Sequence, residues 1–186
     1  MEGARIWVLC IAAAVLYGEL HDQITARVCV EYFTIGHPPV FATDSPTLLA
    51  LGWGFIATWW VGAILGLMVV ACARIGPRPK LSARELLLPL CCLMVGAGLC
   101  ALIAGIAGYV SARNGGVSLD GYLGALTPAA KHAAFIADWW AHTTSYAAAF
   151  AGSLALSGWI VWRRAWQTRS GSAAVELAPV KTGHVS

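Results

Sequence analysis

Two stretches of this chain, Thr47 to Ala73 and Leu86 to Ala112, contain no charged residue. At about 1.5 Å of rise per residue, either one as a helix outruns the roughly 30 Å hydrocarbon core of a bilayer. Two further apolar stretches flank them. Ile6 to Gly18 is uncharged but short, and Ala133 to Trp162 is interrupted only by Asp138 and His142. The composition is 59% hydrophobic and 11% charged over 186 residues, against about 25% charged in an ordinary soluble domain. A soluble domain of this size has nowhere to hide so much apolar surface, so lipid must solvate part of it.

The expected fold class is therefore all-α, an integral membrane four-helix bundle. Local start signals agree. Ser45-Pro46 and Thr127-Pro128 each read as a capping hydroxyl followed by proline at the first helical position. Ser82-Ala83-Arg84-Glu85 reads as a capping box. Nothing alternates as a membrane β-strand would. Helices are expected at approximately 5–30, 46–73, 83–112 and 128–166, in one domain over 1–166. Residues 167–186 are small, polar and aperiodic, and are expected to form a disordered cytoplasmic tail.

Lysines and arginines give the orientation. With four crossings, one side carries Arg5, Arg74, Arg78, Lys80, Arg84, Arg163, Arg164, Arg169 and Lys181, nine of the twelve. The other holds only Arg27, Arg113 and Lys131. The positive-inside rule puts both termini in the cytoplasm, in the cell membrane, or the inner membrane of a bacterium. Met1 to Gly18 also resembles a secretory signal, with Arg5 ahead of an apolar run. A cut after Gly18 would place bulky Leu16 where a small residue is needed, so an uncleaved anchor is expected. Trp59 and Trp60 fall deep and are expected to pack inside the bundle. Gly62-x-x-x-Gly66, Ala101-x-x-x-Gly105 and Ala104-x-x-x-Gly108 offer close helix contacts and suggest that the second and third helices form a tight, inert wall.

The six cysteines include no C-x-x-C pair and no haem-attachment sequence, which argues against thiol-redox chemistry. A net charge of +3 without a basic cluster argues against nucleic acid. The lipid bilayer is the expected partner, with a homo-oligomer or a larger membrane complex as further assemblies.

If the first helix spans, it draws Glu19, His21, Asp22 and Gln23 into or near the outer half of the membrane. Ionisable groups are costly there and default to functional hypotheses. Asp138 and His142 on the fourth helix belong to the same half, whereas the second and third helices contribute no charge. Counting from Trp7 and Trp159, Asp22 and His142 stand at ~22 and ~26 Å, nearly level. Arg27 and Asp138 are level too, so Arg27 is expected to pair with Asp138, or with Glu31 at i+4. Asp138 and His142, at i and i+4, face the same way.

Two acids and two imidazoles make a nitrogen-oxygen ligand set suited to zinc, iron, manganese or copper. The expected ligands are His21, Asp22, Asp138 and His142, with Glu19 as a general base. His21 is the weakest member, about 100° of helical rotation from Asp22. The chain lacks both the four-helix di-iron signature and the zinc-protease His-Glu-x-x-His. His37, ahead of Pro38-Pro39, sits in a loop with no clear role. Three classes follow: a membrane metalloenzyme at the outer leaflet, a proton- or ion-handling carrier or channel subunit, and a structural subunit whose polar groups merely join helices. A bis-histidine haem on His21 and His142 is a variant of the first.

Overall fold

A computed structural model of the protein describes residues 1–176. Four long helices, α1 (Glu2–Val28), α3 (Pro46–Arg74), α4 (Ala83–Arg113) and α6 (His132–Glu176), account for most of it. Each contains a stretch long and apolar enough to cross a membrane. Two short helices, α2 (Val30–Thr34) and α5 (Gly121–Leu126), cover one end, and no strand occurs among the described residues. The long helices run alternately up and down. We call the end where α1 and α4 begin the basal end, and the opposite one the site end.

The bundle is built from two tight pairs. α1 lies closely on α3 and α4 on α6, while the pairs meet each other more loosely. Gly54, Thr58, Gly62 and Gly66 repeat at i+4 and so form one stripe of α3. That stripe takes α1 at backbone distance. A Cβ on Gly54 would lie 2.6 Å from the Glu19 Cα, and one on Gly62 would lie 2.7 Å from the Ala14 Cβ. On α4, a Cβ at Gly108 would come within 3.0 Å of the Trp140 ring. The small-residue spacings thus dock α3 onto α1 and α4 onto α6. This corrects the expectation that α3 and α4 form a wall together, since each turns its small face to its own partner.

Polar contacts tie the helices together at the basal end. Ser82 and Glu85 complete the expected capping box, with the Ser82 N–H donating to Glu85 Oε2 at 2.8 Å. Glu2 Oε1 accepts the Ala83 N–H at 3.0 Å, tying the starts of α1 and α4. The buried guanidinium of Arg164 donates to the carbonyls of Pro79 (2.7 Å), Ile75 (2.9 Å), Arg78 (3.1 Å) and Cys72. It thereby caps the end of α3 and the loop beyond it.

Other details depart from the sequence reading. Pro46 does open α3 after Ser45, but the serine side chain makes no cap bond. Thr127 instead caps the end of α5, and a 3₁₀ turn at Ala129–Lys131 leads into α6. α6 continues to Glu176, and the remainder of the expected tail lies outside the described residues. Trp59 and Trp60 are exposed on the surface of the bundle, 46% and 48%, and not packed within it. The α3 face that meets α1 is already filled by its glycines.

Candidate metal centre

The site end owes its shape to a break at Cys29. Helix α1 stops at Val28, and Cys29 is extended (φ −149°, ψ 93°) before α2 resumes. The break turns α2 back over the bundle. It also ends the i+4 register that would have brought Glu31 under Arg27. Arg27 accordingly bonds to Gln23 Oε1 at 2.7 Å and Thr47 Oγ1 at 2.9 Å, anchoring the start of α3. Glu31 pairs with Lys131 at 3.7 Å. The expected bridges from Arg27 to Asp138 or Glu31 are therefore absent; Arg27 is exposed, pointing away from the seam that buries Asp138.

The equal heights of Asp22 and His142 do place them together. His142 Nε2 lies 3.2 Å from Asp22 Oδ1, with side chains only 12% and 7% exposed. The His21 ring meets that of His142 edge-on at 4.6 Å and stacks on Tyr17 at 5.8 Å. His21, Asp22 and His142 can each offer a donor atom within 4.8 Å of the others. Common bonds of about 2.0–2.2 Å at near-tetrahedral angles put ligand atoms roughly 3.4 Å apart, so the trio is ~1.4 Å too wide at its widest. Side-chain torsions can supply that change.

Asp138 and Glu19 are not brought into this trio. The Asp138 backbone carbonyl accepts from His142 Nδ1 at 2.8 Å, while its side chain turns toward the Cys29 backbone. That side chain is 2% exposed, and its Oδ2 has no hydrogen-bond partner. Glu19 is half-buried where α1 crosses Gly54, and it does not line the cavity at the trio.

The tautomer of His142 follows from its partner. A carbonyl oxygen only accepts, so Nδ1 carries the proton, and in the neutral ring Nε2 is a bare lone pair. That lone pair faces a carboxylate oxygen, acceptor against acceptor. Nearby, the buried Nε2 of His21 also lacks a partner. The arrangement needs a cation, either a proton or a metal.

A cavity of about 120 Å³ opens from the trio along the seam between the helix pairs. His37 and Trp53 line it at the site end, and Cys10, Val69 and Leu90 at the basal end. From His21 to Cys10 is eleven residues of α1, or ~16 Å. Apart from the site end its walls are almost wholly apolar, with Ser145 donating to or accepting from Tyr17 at 2.7 Å.

Residues beyond the trio complete the roof. His37 Nδ1 lies 2.9 Å from the Tyr32 carbonyl, and the His37 ring stacks on Phe33 at 5.6 Å and sits 4.6 Å from Trp53. Burial holds the His37 imidazole below its ordinary value. The Tyr32 ring lies 4.6 Å from that of His142, and burial pushes its phenol upward, with the nearby Asp138 carboxyl adding to the shift. His37 had no assigned role in the reading of the sequence. The only signal was a histidine whose backbone the following Pro38-Pro39 holds extended.

No protein-family model, curated protein or solved structure matches the chain.

Proposed function

We propose that this membrane protein holds one transition-metal ion between His21, Asp22 and His142 and uses it on a lipid-soluble molecule in the cavity between the helix pairs. The observation that carries the reading is the lone pair of His142 Nε2, fixed by its own helix carbonyl and aimed at Asp22 Oδ1 from 3.2 Å. A ligating histidine characteristically gives its other ring nitrogen to a carbonyl or carboxylate, which sets the tautomer. Two imidazoles and one carboxylate leave coordination positions open, as catalytic sites require. No thiolate stands in the set, and the donors suit iron(II), zinc or manganese better than copper(I). The ion would supply Lewis acidity or an activated water. The chain's own part is to hold three donors, exclude bulk water with the roof of Tyr32, Phe33 and His37, and admit an apolar substrate.

A haem is a poor fit, because the edge-on contact of His21 and His142 leaves no slot for a macrocycle. A proton in place of the metal gives the second reading: an imidazolium of His142 paired with Asp22, as the 3.2 Å separation also suits. That pair would serve proton handling along the seam.

Metal analysis separates the two. Protein purified after growth with iron, zinc and manganese should carry about one equivalent of one of them. His142→Ala and Asp22→Asn should each fall to background while remaining folded. A wild-type protein that stays metal-free after supply of all three ions excludes the metal reading and leaves the ion pair.

A further inference from the structure

The cavity that opens from the trio is long, narrow and closed at one end. On α1 its wall runs from His21 to Cys10, and on α6 from His142 to Ser153. Each span is eleven residues, so the two helices agree on a length of ~16 Å. The basal end is blind. Cys10, Val69 and Leu90 close it, backed by the fully buried Ile6, Leu86 and Ile160. Small residues keep the space open: Ala13 and Ala14 on α1, Ala57 and Gly62 on α3, Ala149 on α6.

Volume and length together set the width. A compact apolar void of about 150 Å³ takes one benzene ring. Here about 120 Å³ is drawn out over ~16 Å, which leaves no room for a ring system or for two chains side by side. The walls set the polarity. Tyr17 and Ser145 bond to each other at 2.7 Å, Tyr146 donates to the Ala57 carbonyl at 3.3 Å, and Thr58 donates to the Gly54 carbonyl. Ser153 at the blind end can turn to its own i−4 carbonyl, as helical serines do. Among the described residues of the lining, the buried polar atom left without a partner is His21 Nε2, at the site end. A molecule that fills this space is therefore apolar along its length and polar only at the trio.

We infer that the cavity takes one unbranched hydrocarbon chain, tail first, with an oxygen-bearing end group at the trio. C–C bonds of about 1.5 Å at near-tetrahedral angles advance an extended chain ~1.25 Å per carbon, so the cavity holds about a dozen carbons. Its width shuts out a diacyl phospholipid and a sterol. The placement of the end group rests on the metal reading above, because an oxygen would fill an open coordination position. The single chain and its length stand on the cavity walls alone.

Competition photolabelling of the full chain in nanodiscs tests this, with dodecanoic acid bearing a diazirine at its tail end. The label should fall on α1 around Cys10 and on α3 around Val69. A diazirine beside the carboxyl should label α1 near Tyr17 instead. Unlabelled dodecanoic acid should displace either label, and hexadecanoic acid or cholesterol should need about tenfold more, because an overfilled cavity strains its walls. Ala149→Leu narrows the cavity seven residues from His142, or ~10 Å below the trio. That variant should lose the dodecanoic label at Cys10 and accept an octanoic acid diazirine in its place. Label scattered over the lipid-facing surface, a reversed head-to-tail pattern, or equal displacement by hexadecanoic acid or cholesterol overturns the proposal. So does an Ala149→Leu protein labelled at Cys10 as before, and the wild-type series decides alone if that variant does not fold. Metal content is measured on the same samples. Length-selective labelling of a metal-free wild type would sink the metal reading alone, and metal-loaded protein without it would sink the single-chain site alone.

Discussion

Two side chains of α6 reach across the seam between the helix pairs, Arg164 at the basal end and His142 at the site end, ~33 Å apart by helix rise. Both are largely buried and ionisable, and both sit in helices that a membrane would surround. They differ in how their hydrogen bonds close. Arg164 meets four carbonyls and no acid, and its guanidinium serves as a cap for α3. His142 gives one nitrogen to its own helix and turns the other on a carboxylate, with the unpartnered Nε2 of His21 and Oδ2 of Asp138 close by. At Arg164 the chain completes the hydrogen bonds of the buried ion and the group is architectural, whereas at His142 it leaves a lone pair facing a carboxylate, which is why that end is the candidate site.

The sharpest way to break this contrast is to remove each bridge in turn. Arg164→Ala strands four carbonyls and should cost about 3–5 kcal/mol of stability, in the range for a buried hydrogen-bonding network. It should leave metal content intact. Arg164→Lys should recover only part, because an ammonium has three donors and cannot span the same fork. His142→Ala should do the opposite, abolishing metal at little cost to the metal-free fold. Thermal unfolding in detergent alongside metal analysis checks both. If Arg164→Ala loses metal with its fold retained, the basal end is part of the site and the contrast fails.

A second test addresses the pairs that define the seam. Gly54→Ala places a Cβ 2.6 Å from the Glu19 backbone, so α1 and α3 must separate. Overpacking of this kind costs about 1–3 kcal/mol. Gly96→Ala meets nothing within 4 Å and should be neutral or slightly stabilising, since alanine is the better helix former. Equal melting temperatures for the two variants would mean that α1 and α3 are not packed at backbone distance.

These particulars also show what a single sequence can yield. The four apolar helices, the capping box at Ser82 and the level heights of Asp22 and His142 follow from composition, local chemistry and helix rise, which act within one segment. The membrane-bundle fold was legible on that basis. The pairing of α1 with α3 and α4 with α6 was not, because small-residue spacing shows that a helix can be approached and not by which neighbour. The break at Cys29 carries no glycine or proline, and with it went the placement of Glu31, Tyr32 and His37. Asp138 was expected among the ligands because it shares a helix face with His142. It contributes its backbone carbonyl to the trio through His142 Nδ1, while its carboxylate turns toward the Cys29 backbone.

The smallest expected effect concerns the roof over the site. His37 lies outside the membrane-spanning helices, and burial depresses its imidazole pKa from the ordinary 6.5. The Tyr32 carbonyl and the Asp22 carboxylate act in the opposite sense, while His142 adds to the depression. Between the depressed value and 6.5 the unfolded chain binds more protons than the folded one, so stability rises with pH through that window. The contribution of a neutral His37 is complete above the unfolded value and is lost as pH falls below it. Wild-type protein should therefore lose more of its melting temperature between pH 7.5 and pH 5.5 than His37→Asn. Asparagine keeps a donor for the Tyr32 carbonyl but does not titrate. Parallel losses in the two proteins would place the ring in water and remove His37 from the roof, leaving Tyr32, Phe33 and Trp53 to shield the site end.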